Sequence, residues 1–342
     1  MQIDNILRLT QNKLFTYLLK SFRELREKQH VFCVKKSYIL IVGEAPTMLV
    51  AHLDTVHKQP VQTICRSADG NILMSPQGIG GDDRCGVYAL LKVYREARVK
   101  PWLLFTCDEE IGGFGAEHFC KDFRDNLLPE ELKNLKIIVE IDRKGKTDAV
   151  YYDCDCPELE KYIATKGYKT EFGTFSDISI IAPELGIAGV NLSSGYYNAH
   201  TPHEYIVLSE LNNTIAKVLE IVEESTSNDF PVYQYKEYKR IIHGFYGGNT
   251  WKDNWHNSMF ANPYSVSSTS YIPPEDLPRE RANKYEMLLD IYCVEDLEKY
   301  RLAYGDDIID YIYEEEFGDT EFDNTKCADS NMYGEKLSID ET

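Results

Sequence analysis

The sequence predicts an α/β fold, a three-layer sandwich with a mostly parallel, mixed central sheet, plus a helical acidic C-terminal appendage. Short apolar runs of strand length (48–53, 101–106, 135–141, 187–192) alternate with segments of helical spacing (84–98, 114–123, 208–223). That alternation is the pattern of helices packed on a parallel sheet. Polar residues gather where the apolar runs stop, as in open α/β sheets that bind ligands at their strand ends. Composition then changes after residue 228.

The elements follow in order. Residues 3–28 place Ile6, Leu7, Leu14, Phe15, Leu18, Leu19, Phe22 and Leu25 at helical spacing, which predicts one or two amphipathic helices. Residues 31–42 read as a hairpin bending near Lys35-Lys36-Ser37. The run from Met48 to Leu53 is a buried strand, and 61–65 with 71–74 reads as a hairpin around Ala68-Asp69-Gly70. A Gly-rich turn over 77–83 opens a helix at 84–98. Pro101 starts a strand that runs into Cys107-Asp108-Glu109-Glu110, and a helix follows at 114–123. Strands are expected at 135–141, 149–152 and 187–192. Helices are expected at 157–166, with Pro157 in the first turn, at 177–185, and at 208–223 with Ser209 as cap.

Three regions result: an α/β domain at 1–228, an irregular Tyr/Asn/Ser/Pro-rich connector at 229–278, and an acidic helical appendage at 279–342 with a frayed tail. Lys+Arg number 37 and Asp+Glu 56, a net charge of −19, which argues against nucleic acid or an anionic membrane as partner. From Lys284 onward there are 18 acidic and 5 basic residues, a net −13, so most of the charge belongs to the tail. The nine cysteines are odd in number and scattered, which fits a reducing, cytoplasmic setting better than a disulfide framework. Cys154-Asp155-Cys156 has no second pair to complete a metal site. No apolar run reaches membrane-spanning length.

Five polar clusters stand at strand ends or turns: His52-x-Asp54, Gly81-Asp82-Asp83, Asp108-Glu109-Glu110, Glu140-Ile141-Asp142 and His200-Thr201-Pro202-His203-Glu204. Side chains at i and i+2 leave a strand on one face. Asp54 can therefore back His52, fix its tautomer and raise its basicity. Two histidines with several carboxylates form an oxygen–nitrogen donor set suited to Zn, Co or Mn. A cation pair needs one bridging carboxylate and about two further ligands each, and the set supplies that count.

The series HLDTV, GIGGDDRCG, CDEEIGGFGA, EIDRKG and AHTPHEY resembles the dizinc exopeptidases that include peptidase T, carboxypeptidase G and succinyl-diaminopimelate desuccinylase. The resemblance covers roughly residues 45–225 in the family's order. It implies that Asp82 bridges two metal ions, that His52 and Asp142 complete one set, and that Glu110 and His200 complete the other. It also implies that Glu109 is the general base and that Asp54 orients His52. Arg84 stands where the family pattern has Lys. Only residues 143–199 separate the last two clusters, too few for the lid and dimerisation domain of larger members, so the chain resembles the compact, lidless aminopeptidases. Asp at position 142 points the same way, because Glu there is commoner among carboxypeptidases and deacylases.

The expected activity is metal-dependent hydrolysis of a peptide bond, as an aminopeptidase on short peptides. The alternatives are an N-acyl amino-acid amidohydrolase and an inactive binding module of the same fold. An intact Glu109 argues against the last. Lesser candidates have plainer explanations: His203 as a rim or capping residue, Asp177 as a helix cap, Arg143 and Lys144 in a solvated turn, Tyr196 and Tyr197 as packing residues. Ser193-Ser194-Gly195 has no partners for a serine nucleophile.

Overall fold

Strands in chain order are β1 (Val31–Val34), β2 (Tyr38–Ile41), β3 (Thr47–His52), β4 (Cys65–Arg66), β5 (Ile72–Met74), β6 (Trp102–Thr106), β7 (Ile137–Arg143), β8 (Asp148–Val150), β9 (Lys169–Thr170), β10 (Gly189–Ser193), β11 (Tyr196–Tyr197) and β12 (Tyr205–Val207). The helices are α1 (Ile3–Leu7), α2 (Gln11–Ser21), α3 (Arg23–Glu27), α4 (Gly81–Glu96), α5 (Phe114–Arg124), α6 (Pro157–Thr165), α7 (Asp177–Leu185) and α8 (Leu208–Ser225). The structure is a computed structural model; it describes residues 2–57 and 59–237, and seven further positions between Arg281 and Asp310.

The main sheet has the order β1-β2-β6-β3-β7-β10-β8-β9. Its centre is parallel: β3 pairs in parallel with both β6 and β7, and β7 with β10. Strand alternation builds the layers. Leu49 and Ala51 join the apolar cluster of Leu14, Leu18, Leu90, Val93, Val218 and Val222, whereas Met48 and Val50 join that of Ala116, Phe119, Ile178 and Ile181. Helices α2, α4 and α8 thus cover one face, and α5 and α7 the other. Each fully buried Leu, Val or Ile contributes roughly 1.5–3 kcal/mol, which offsets the cost of the charged groups described below.

A second, antiparallel sheet has the order β11-β12-β5-β4; its β4–β5 hairpin is the one expected around Ala68-Asp69-Gly70, whereas β11 and β12 were not expected from the sequence. Its strands span only two or three residues, too short for an alternation signal. Other boundaries moved for local reasons. Residues 3–28 form three helices, because Thr10 caps α2 by accepting from Lys13 N–H, and because Phe22 leaves helical geometry. Residues 61–64 are not strand; only Cys65 and Arg66 pair with β5. Ser209 does not cap α8. Its own backbone N–H is instead satisfied by Asn71 Oδ1 (2.9 Å).

The chain divides into units Met1–His243 and Gly244–Thr342. Residues 229–237, expected to begin a connector, belong to the first unit: Tyr233 N–H donates to Lys136 O (2.9 Å), and Ala188 N–H donates to Tyr233 O (2.7 Å). The rest of the expected connector lies outside the described residues, as does most of the expected helical appendage. In the second unit, Asp310 accepts from Arg281 (2.6 Å) and Lys284 (2.8 Å), and Tyr285 and Ile309 are buried. Among the described residues, no helix is long and apolar enough to cross a membrane.

Candidate metal centre

Parallel pairing delivers the polar clusters to one end of the sheet. His52 closes β3 and lies opposite Thr106 at the end of β6, so the turn carrying Asp108, Glu109 and Glu110 emerges beside it. Asp142 sits near the end of β7, and Asp82 near the start of α4. His200 reaches the site from the loop joining β11 to β12. There Asn198 and His200 both take left-handed backbone angles (φ 57° and 63°).

Asp82 is shared between two groups. Its Oδ1 lies 3.2 Å from His52 Nε2, and its Oδ2 lies 3.2 Å from His200 Nε2. Asp142 Oδ1 approaches His52 Nε2 at 3.6 Å, and Glu110 Oε2 approaches His200 Nε2 at 3.0 Å. His52, Asp82 and Asp142 thus form one candidate cation group, and Asp82, Glu110 and His200 another, with donor atoms within 4.8 Å of each other in each. Glu109 belongs to neither, and its Oε2 is 3.9 Å from His52 Nε2.

The supporting bonds are specific. Asp54 Oδ1 accepts from His52 Nδ1–H (3.2 Å) and from Glu109 N–H (3.1 Å), and its Oδ2 accepts from Glu110 N–H (3.0 Å). One carboxylate therefore orients the histidine and both glutamates. Fully buried Glu204 accepts from Gly80 N–H, Asp82 N–H and His57 Nε2–H, each at 2.9 Å, and so holds the turn that presents Asp82. Asp83 turns inward and accepts from His52 N–H (3.3 Å) and Gly86 N–H (2.9 Å). Gly86 has no room for a side chain, since a Cβ would stand 2.3 Å from Asp83 Oδ2 and 2.4 Å from Ile141 O. Buried Arg84 donates to Leu53 O and to Leu9 O (3.0 Å). Asp142 receives Tyr196 Oη–H (3.3 Å) and Ser176 Oγ–H (3.4 Å), while Asn191 Oδ1 accepts from Asp142 N–H (2.8 Å).

Acid crowding dominates the electrostatics. Burial, then repulsion from Asp82, pushes Asp142 up to about 8. Burial and the same neighbour push Glu110 up to about 7. Burial pushes Glu109 up to about 9, with Asp142 adding to the rise and His52 opposing it. Burial also works to raise Asp82, yet hydrogen bonds from His200 and His52 hold it below the ordinary carboxylate range. His200 rises to about 9, chiefly through its bond to Asp82. Such a cluster wants positive charge. Glu110 Oε1 is buried and accepts no hydrogen bond from any described residue. Two imidazoles, three carboxylates and that spare oxygen fit divalent cations of the Zn, Co or Mn type.

The remaining candidates fall elsewhere. Asp177 is not the cap of α7. It is fully buried, accepts from Thr106 Oγ1–H, and rises to about 6 through burial. His203 is exposed, and its backbone N–H donates to Thr201 Oγ1 (3.2 Å). Arg143 donates to Phe172 O (3.1 Å) and lies 3.8 Å from Asp148. Ser193 Oγ–H donates to Lys144 O (2.8 Å). Cys154 and Cys156 belong to neither cation group. His57 and the anchoring role of Glu204 escaped the sequence reading, because their partnership spans 147 residues.

The sequence matches no known family model and no curated protein sequence. Solved structures are similar to it. One is the TET aminopeptidase of a marine sediment archaeon of the Thaumarchaeota, at TM-score 0.50 and 11% identity over 64% of this chain and 94% of that one. Others are aminopeptidase PepT from Bacillus cereus (TM-score 0.48, 15% identity, 66% of this chain, 97% of that one) and a tripeptidase from Staphylococcus aureus (0.46, 16%, 65% and 96%). At such identities the likeness concerns architecture, and the chain has the α/β fold found in the TET aminopeptidase.

Proposed function

We propose that the chain is a metal-dependent hydrolase that cleaves peptide amide bonds at a two-cation centre, as an aminopeptidase on short peptides. The observation that carries this reading is the division of Asp82, one oxygen toward His52 and the other toward His200. Glu109 stands beside that pair and outside both groups. His52, Asp82 and Asp142 would hold one cation, and Asp82, Glu110 and His200 the other, with zinc the best match to the donors. A divalent pair there supplies Lewis acidity, polarising a carbonyl and making a water more acidic.

The chain's own groups do the rest. Glu109 accepts the proton of the attacking water and returns it to the leaving amine. Its carboxyl, raised in the cation-free protein, would titrate lower with positive charge bound beside it. Asp54 keeps the His52 Nδ1–H in place, so that Nε2 faces the centre. Glu204 fixes the backbone that aims Asp82. An Asp on β7, as in the aminopeptidases the sequence resembles, favours release of an N-terminal residue.

The test is a panel of free peptides, N-acetylated peptides and N-acyl amino acids, assayed with added Zn, Co or Mn. Release of N-terminal residues from unblocked peptides is the expected result. Turnover of acyl amino acids alone would make the chain an amidohydrolase. Two bound cations without hydrolysis of any substrate would make it a binding protein.

A further inference from the structure

We propose that Gln11, the first residue of α2, is a positioning residue for the turn carrying Glu109 and Glu110, acting through Asp108. The inference rests on the reading of Glu109 as the base. The Gln11 amide meets Asp108 twice: Nε2–H donates to Asp108 Oδ1 (2.9 Å), and Oε1 accepts from Asp108 N–H (3.3 Å). One planar group therefore grips both the side chain and the backbone of the residue before the base.

Asp108 is held where most residues do not rest. Its φ is 61°, in the left-handed region that a side chain disfavours. This rotation sends the next two amides, of Glu109 and Glu110, onto Asp54. Asp108 O closes the turn by accepting from Gly113 N–H (3.0 Å). If Asp108 relaxed to an extended angle, the two amides would leave Asp54, and Glu109 would leave His52.

The N-terminal segment is tied down at separate points. Asp4 pairs with Arg66 (2.5 Å), Leu9 O accepts from Arg84 (3.0 Å), and Gln11 reaches the turn. Leu7, Leu9 and Gln11 of this segment line a cavity of about 290 Å³ together with Asp54, Ile79 and Arg84 among others.

An exchange of partners tests this. Gln11→Ala should lower kcat roughly 10- to 100-fold with KM nearly unchanged, as a small misplacement of a catalytic group does. Its melting temperature should stay close to that of the parent. Gln11→Glu should do the same by setting two carboxylates face to face. Adding Asp108→Asn to Gln11→Glu exchanges amide and carboxylate and should restore kcat to within about 3-fold, a coupling expected of contacting residues. Hydrogen exchange in the cation-free protein gives a readout independent of activity: the amides of residues 106–113 should exchange faster in Gln11→Ala. Failure of the double substitution to restore kcat, or unchanged exchange in Gln11→Ala, overturns the proposal. If the parent hydrolyses no substrate, the reading of Glu109 fails, and the exchange experiment still decides whether the clamp holds the turn.

Discussion

Glu204→Gln is a small change with a large expected effect. The carboxylate is fully buried and accepts three hydrogen bonds, one at Oε1 from Asp82 N–H and two at Oε2 from Gly80 N–H and His57. Glutamine keeps one acceptor oxygen and turns the other into a donor. His57 can change tautomer and accept, but a backbone N–H cannot. One buried amide must then face another N–H, which costs about 1–3 kcal/mol, and the surviving bonds lose charge assistance worth roughly 1 kcal/mol. Relief of repulsion from Asp82 offsets part of this, so a loss of about 2 kcal/mol is expected, a substantial share of a typical domain's stability. The same change frees the turn that aims Asp82, so cation affinity should fall about 10- to 100-fold, as when groups supporting metal ligands are altered. Urea unfolding of the cation-free protein and zinc titration measure the two effects. A stability change under about 0.5 kcal/mol with unaltered zinc affinity would refute the anchoring role.

Glu109→Gln should retain bound cations and lose at least about 10²-fold in turnover, and normal turnover with full cation content would remove Glu109 from the mechanism. Gly86→Ala should be severely destabilising, because its Cβ would overlap Ile141 O and the buried Asp83 carboxylate; a melting temperature equal to the parent's contradicts that packing. The pH dependence has a definite sign. Asp142 and Glu110 lie at about 8 and about 7 in the cation-free fold, against ordinary values of 3.8 and 4.5. They bind more protons folded than unfolded, so their contribution is full below about pH 4 and is lost as pH rises through 7 to 8. Zinc should therefore raise the melting temperature more at pH 8 than at pH 5, with proton release seen by calorimetry in buffers of differing ionisation enthalpy. A larger zinc effect at pH 5 would reverse the assignment of those carboxyls.

Much of the candidate site was legible because its residues sit where strands stop. The run ending in His52, the strand ending before Asp108-Glu109-Glu110 and the strand carrying Asp142 each combine an apolar stretch with a polar end, a signal confined to a few residues. What could not be read spans long separations. Glu204 lies 122 residues from the Asp82 amide that it anchors, and Gln11 lies 97 from Asp108, and neither distance leaves any periodicity. The small sheet that delivers His200 is built of two- and three-residue strands, below the length at which alternation has meaning. Ser-Asp before an apolar run is a usual capping pattern, but here Asp177 is buried and bonded to Thr106 instead.

Counting bound metal tests most directly whether Asp82 is shared by two cations. Elemental analysis of zinc-loaded, desalted full-length chain should return about two equivalents, the number a bridged pair requires. Glu110→Ala and His200→Ala should each return about one, leaving the His52, Asp82 and Asp142 group filled. A single equivalent in the parent chain, unchanged by either substitution, would contradict the two-cation centre.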